Sequence, residues 1–293
     1  MKLRNAVLLA VIAAAGAACD KGTAPPTSTG AAVLQRPLFW QLERDGHTSY
    51  LLGTIHVGVD PARLPSIVGA RLDAAKAFAM ETDVSQASTL DVRRSDGTTL
   101  ADELGPAYWA KLEAALGAPA AAQLLHVKTM IPATQLALRG LPATPSMDTA
   151  LHDRAVRHHA RIVFLEPFAD EIAVLDKWLD ARALRDMLDD LTDNERRARE
   201  MLDAYVAGDE ARMLAITDAE RAQWKAHGHP EREFDEQLED LLFKRNASWI
   251  APIEALHAAG GGFIAVGAAH TVGPRSVIDL LEKRGFRVTR VAP

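Results

Sequence analysis

The chain has 293 residues, of which 48% are apolar, 25% charged and only 5% aromatic, and its formal net charge is −6. That length suits one large α/β domain or two smaller ones, and the apolar share is enough for a buried core. No Lys/Arg-rich stripe or basic-aromatic interleaving is present, so nucleic acid is not an expected partner.

Lys2 and Arg4 precede an apolar run at residues 6–15 that is too short for a comfortable membrane span, and the small residues Gly16, Ala17 and Ala18 follow it. That order predicts a secretory signal over residues 1–18. Cys19 comes next and is the single cysteine, which excludes an intramolecular disulfide. Its setting resembles a bacterial lipobox, with Gly16 standing where such signals favour Leu. The expectation is an exported protein of the bacterial envelope, meeting the membrane only through a lipid anchor at Cys19; cleavage after Ala18 alone would leave it periplasmic. Residues 19–36, rich in Gly, Pro, Ser, Thr and Ala, read as a flexible tether, and residues 37–293 as the folded domain.

Residues 38–43 and 48–55 flank Arg44-Asp45-Gly46-His47, and alternation with an Asp-Gly turn predicts a β-hairpin. A helix follows over residues 65–77, then a short apolar strand at residues 77–80 ending in Glu81-Thr82-Asp83. From residue 100 to about 191 the pattern is mostly helical. Within it Ile162-Val163-Phe164-Leu165 reads as a central strand stopped by Glu166-Pro167. Residues 193–206, 210–216 and 231–259 read as charged amphipathic helices. Phe263-Ile264-Ala265-Val266 is a buried-type strand leading into Gly267-Ala268-Ala269-His270, and a helix at 276–284 and a strand at 286–291 close the chain. The predicted fold is α/β: a mixed central sheet with an N-terminal hairpin, and a large helical insertion forming a lid over the carboxyl ends of the strands.

Three buried-type strands run into polar side chains, His56, Glu81 and His270, and a fourth into Glu166. Ligand-handling groups of α/β sheets gather at such strand ends. Gly53 and Gly267, each three residues before a histidine, permit close approach of backbone or ligand. Neutral imidazole with carboxylate is a donor set for a divalent metal such as zinc, which lowers the pKa of water and polarises a carbonyl. By spacing alone, a histidine after a strand is more often a hydrogen-bonded structural residue, and Arg245 and Asn246 are solvated or helix-capping groups. Asp148 reads as the cap of a helix over residues 149–159. His227-Gly228-His229 reads as an exposed loop, and Trp178, Trp224 and Trp249 as packing residues. Asp83 either turns the chain or supports the site from behind.

Several segments together resemble a known family. Tyr50-Leu51-Leu52-Gly53-Thr54-Ile55-His56-Val57, Met80-Glu81-Thr82-Asp83, Phe164-Leu165-Glu166, Arg245-Asn246-x-x-Trp249 and Val266-Gly267-Ala268-Ala269-His270-Thr271-Val272-Gly273-Pro274 look, in this order, like the TraB/PrgY/GumN family. That family is similar to the Tiki metalloproteases and, more distantly, to erythromycin-esterase and ChaN-like folds. The resemblance spans residues 38–291. It implies His56, Glu81 and His270 as the core of the site, with Arg245 and Asn246 as supporting groups. The expectation is that the three catalytic residues bind a metal, Mn, Co or Zn, or activate water, that Arg245 and Asn246 hold the substrate carbonyl or oxyanion, and that Asp83 and Glu166 lie behind them. Pro167 departs from the family pattern beside Glu166. The expected function is a metal-dependent, peptidase-like hydrolase acting on a peptide or small molecule. The alternative is a non-catalytic envelope protein binding iron, haem or peptide. The oligomeric state is open.

Overall fold

A computed structural model of the chain describes residues 34–226 and 228–292; the predicted signal, Cys19 and most of the tether lie outside the described residues. The hairpin forms as expected. Strands β1 (Phe39–Arg44) and β2 (His47–Thr54) pair antiparallel with Arg44 opposite His47, so Asp45 and Gly46 alone make the turn. Their φ values of 52° and 78° are the left-handed ones that a two-residue type I′ turn requires.

Helix α1 (Ser66–Asp73) leads to β3 (Ala77–Met80). The chain then leaves the sheet through α2 (Leu100–Leu104), α3 (Pro106–Leu116), α4 (Ala118–Gln123) and α5 (Met130–Ala137), and returns through α6 (Met147–Arg157) to β4 (Arg161–Phe164). A second excursion comprises α7 (Phe168–Trp178), α8 (Ala181–Asp189), α9 (Leu191–Ala207), α10 (Glu210–Ala226) and α11 (Glu231–Leu238). The long helix read over 231–259 is in fact interrupted: a π-helical turn at Glu239–Phe243 separates α11 from α12 (Lys244–Ala258). Strand β5 (Phe263–Gly267), α13 (Val277–Lys283) and β6 (Arg287–Arg290) complete the fold.

The sheet order is β4-β3-β5-β2-β1-β6. Strands β4, β3, β5 and β2 are mutually parallel, whereas β1 runs against both of its neighbours. Every residue of β3 and β5 is buried, which explains their unbroken apolar sequences: a parallel strand covered on both faces has no polar side. Strand β4, expected at the centre, is instead an edge strand with Arg161 and Phe164 exposed. Its apolar run looks central because four residues are too few to display alternation. Pro167 ends that segment by opening α7, whose first turn it caps.

Two hydrophobic cores result. One joins the sheet to α1, α6, α9, α12 and α13. The other lies wholly among helices, from α2–α5 through α7 and α8 to Trp224, Phe234 and Leu241–Leu242. Ala269, after β5, packs on the second core while Ala268 belongs to the first, so the strand ends lie at the seam. The folded part begins before residue 37: Leu34 is buried in the sheet core and the Gln35 amide donates to the Val206 carbonyl at 2.9 Å. Among the described residues, no helix is long and apolar enough to cross a membrane.

The glycine run 260–262 threads the chain from α12 into β5. Gly261 has φ of +86°, and a Cβ there would sit 2.0 Å from the Thr48 carbonyl oxygen. Gly261→Ala is therefore expected to cost about 2 kcal/mol or more in urea unfolding, through left-handed strain and backbone collision together; an unchanged midpoint would contradict that contact.

Candidate active site

The four parallel strands end on one edge, and the residues that follow them converge there. Glu81 follows β3, Glu166 lies two residues after β4, His270 three after β5 and His56 two after β2. Gly53 fits the close approach expected of it, since a Cβ would meet Thr271 Oγ1 at 3.0 Å and Ala268 Cα at 3.3 Å. Gly267 contributes its backbone: its N–H donates to Glu81 Oε1 at 2.6 Å.

The centre of the cluster is Arg245, only 5% exposed. Its Nη2 donates to Glu81 Oε2 at 2.8 Å and to Glu166 Oε1 at 2.5 Å, and lies 3.6 Å from Glu171 Oε1. Nε donates to Glu166 at 2.9 Å, and Nη1 to the Leu241 carbonyl at 3.2 Å. The Leu241 carbonyl belongs to the π turn, and such turns recur at functional sites. Trp249, one helical turn after Arg245, donates its indole N–H to Glu166 Oε2 at 3.2 Å and packs on His270 with ring centroids 4.5 Å apart. Trp249 is thus more than a packing residue. Arg245 and Asn246 are not the solvated groups that their charged helix suggests; both face inward with Trp249 and Ile253.

Each histidine is held by Nδ1. Asn246 Nδ2 donates to the Arg275 carbonyl at 2.9 Å, which turns Oδ1 toward His270 Nδ1 at 2.6 Å. His270 therefore carries its proton on Nδ1 and presents an Nε2 lone pair, with Arg245 Nη1 at 3.4 Å and Glu81 Oε1 at 3.9 Å. Burial, then the Arg245 and His56 charges, hold His270 well below the ordinary imidazole range. His56 Nδ1 meets Asp148 Oδ2 at 2.7 Å, and Thr54 Oγ1 donates to the other Asp148 oxygen at 2.7 Å. Burial opposes protonation of His56, but the adjacent Asp148 carboxylate outweighs it and raises the pKa. Asp148 is correspondingly lowered, the His56 contact overcoming its burial. His56 Nε2 is buried and has no hydrogen-bond partner. Its charge is felt by Glu81, Glu171 and His270.

Asp148 is a correction to the sequence reading. The helix starts at Met147, and Ser146 caps it by accepting from the Thr149 amide; Asp148, inside the first turn, spends its carboxylate on His56 and Thr54. Glu171 went unnoticed, although Phe168, Glu171, Ile172 and Leu175 form one buried stripe of α7, and a carboxylate at an apolar-stripe position is a legible signal. Thr82 donates to Glu171 Oε2 at 2.7 Å, leaving Oε1 without a hydrogen bond. Asp83 stands apart from the cluster, its carboxylate accepting from Ser85 and Gln86 to turn the chain. His229 is half-buried rather than exposed, its ring tilted against Trp224 with centroids 4.7 Å apart; His227 lies outside the described residues.

Three carboxylates, Glu81, Glu166 and Glu171, offer oxygens all within 4.8 Å of one another, and among the described residues this is the group of acids and histidines close enough to share one ion. The expected trio of His56, Glu81 and His270 is less compact than that. Glu81 is pushed up to about 8, by burial first and then by Glu171 and Glu166, against the pull of Arg245 and the Gly267 amide. Burial likewise raises Glu171. One guanidinium cannot balance three buried carboxylates, so the cluster demands protons or a further cation.

Removing the guanidinium would strand those carboxylates. Arg245→Ala is expected to cost about 3–5 kcal/mol in chemical denaturation. Arg275→Ala, which breaks the exposed pair with Glu239, should cost about 1 kcal/mol or less. Equal losses would mean that Arg245 is not the pivot of the cluster.

No curated protein and no solved structure matches the chain. The model of the TraB/PrgY/gumN family matches residues 38–290, a span that includes every strand and every residue of the cluster just described. The chain belongs to the TraB/PrgY/gumN family.

Proposed function

We propose that this protein is a metal-dependent hydrolase of the bacterial envelope, peptidase-like in chemistry, acting at the cluster of His56, Glu81, Glu171 and His270. The observation that carries this reading is the mounting of the two imidazoles. Each is tethered by Nδ1 to a side-chain oxygen, Asp148 or Asn246, which leaves Nε2 as the lone-pair atom; that of His56 is unpartnered and that of His270 faces Arg245 Nη1 at 3.4 Å. That tether is the usual support of a metal-ligating histidine.

The donor set suits a divalent cation on two counts: the orphaned His56 Nε2, and an excess of buried carboxylate over Arg245. Although less compact than the three acids, His56, His270 and Glu81 would hold the ion, with Glu171 Oε1 left beside it for proton transfer. When bound, Mn, Co or Zn lowers the pKa of water and polarises a carbonyl. The chain's own part is then positioning and proton traffic. Glu171, with its free oxygen, takes a proton from the water that adds to the carbonyl carbon, and delivers it to the departing amine. Arg245 and Asn246 act differently from the oxyanion donors expected of them from the sequence. Their nitrogens are committed to Glu81, Glu166, Leu241 and Arg275, so they hold acids and His270 in place.

Elemental analysis of gently purified protein is expected to find one divalent ion per chain, lost in His56→Ala and His270→Ala along with peptide hydrolysis while the circular dichroism spectrum persists. Asp148→Asn should weaken metal affinity about 10–100-fold by loosening His56. Unchanged metal content and turnover in both histidine variants would end the hydrolase reading. One observation favours a second reading, a non-catalytic metal-binding protein: His270 is fully buried and Glu81 is 6% exposed, so substrate reaches them only if the seam opens. Stoichiometric metal with no turnover across a peptide library would select it.

Export and lipid anchoring complete the proposal, supported by the order of charge, apolar run and small residues before Cys19. Cys19→Ser is expected to move the protein from the membrane fraction to the soluble periplasmic fraction; an unchanged distribution would remove the anchor.

A further inference from the structure

A cavity of about 350 Å³ lies between the α9–α10 helix pair, the π turn and the ends of β2 and β5. Its wall adjoins the cluster residue by residue. Ile55 precedes His56, Phe243 lies two before Arg245, and Ala269 precedes His270; Thr54, which bonds to the His56 tether Asp148, and Asn246, itself the His270 tether, complete that side. The far side is one face of α10, with Leu214, Thr217, Asp218 and Arg221 at helical spacing.

The polar atoms of this wall are already engaged. Thr54 donates to Asp148, Tyr205 donates to the Gly53 carbonyl at 2.9 Å, Thr217 to the Met213 carbonyl at 3.3 Å, and both ends of the Asn246 amide are bonded. Their hydroxyl protons are spent within the protein, so an occupant is selected chiefly by apolar contact. A cavity of roughly 150 Å³ accepts benzene, so this one has room for an aromatic ring with an aliphatic neighbour. Arg221 is committed to Asp235 at 2.5 Å, which leaves the exposed Asp218 to give the mouth a negative charge. That charge disfavours an anionic head group such as a fatty acid carboxylate.

We propose that this cavity is the specificity subsite of the same centre, taking an uncharged aliphatic or aromatic side chain of a peptide beside the bond attacked. The class of occupant rests on the peptide-hydrolase reading; the binding does not require turnover. The test is calorimetric titration with blocked peptides carrying Leu-Phe or Asp-Glu, and with decanoate, against the full mature chain and its His56→Ala variant. Both proteins are expected to bind the Leu-Phe peptide at least tenfold more tightly than the acidic peptide or decanoate. Thr217→Trp, filling the cavity from α10, should weaken that binding at least tenfold with melting temperature and metal content unchanged. Leu214→Ala, widening it, should shift preference toward a naphthyl side chain. Equal affinity for Leu-Phe and Asp-Glu peptides, or affinity indifferent to both cavity variants, would overturn the subsite. Tighter binding of decanoate would overturn the side-chain assignment in favour of an acyl chain. If the binding pattern holds in a protein that hydrolyses nothing, the hydrolase reading falls while the subsite stands.

Discussion

A guanidinium enclosed by three carboxylates is the constraint around which the rest of this fold is arranged. Isolated charges are very costly to bury, and mutual attraction offsets that cost only where geometry and hydrogen bonds are nearly complete. Arg245 meets that condition by being placed at a seam. Its helix α12 belongs with Trp249 and Ile253 to the sheet core, the π turn before it belongs to the helical core, and the acids arrive from β3, β4 and α7. The guanidinium and its three acids each come from a different segment, so the cluster exists only when both cores are formed and in register.

The two histidines sit in the same seam in opposite electrostatic settings. Asp148 favours the protonated form of His56, whereas burial and the Arg245 charge favour the neutral form of His270. Imidazoles driven apart in this way characterise sites where proton location matters, and structural ion networks can do the same. The orphaned Nε2 of His56 argues for the functional option, because a purely structural imidazole would be expected to bond through both nitrogens. The Ser49–His257 contact at the other end of β2 shows that contrast: His257 there bonds to Ser49 through Nδ1 and to the Arg44 carbonyl through Nε2.

Much of the architecture was legible in the residues themselves. Asp45-Gly46 specified a two-residue turn because left-handed φ is tolerated there. The continuous apolar runs of β3 and β5 announced strands covered on both faces, and the polar residues just beyond them marked the carboxyl edge of the sheet. The position of β4 was not legible: an edge strand exposed at both ends and a central strand carry the same apolar letters. Nor was the break in the helix before Arg245, since a π turn has no residue signature as strong as glycine or proline.

For the site, sequence alone determined which chemical groups end the strands and therefore which could meet: His56, Glu81, Glu166 and His270 are fixed to one edge by β pairing of their own segments. Tertiary structure alone decided what those groups would be bonded to. Asp148 holds His56 instead of capping its helix; Asn246 holds His270; Glu171, on a helix of the second core, becomes the third acid around Arg245. Periodicity reports which face of a segment is buried, but a buried polar side chain is satisfied by partners remote in the chain, from 24 residues for Asn246–His270 to 164 for Arg245–Glu81. Partners at that separation are set by how layers dock, and no local pattern encodes them.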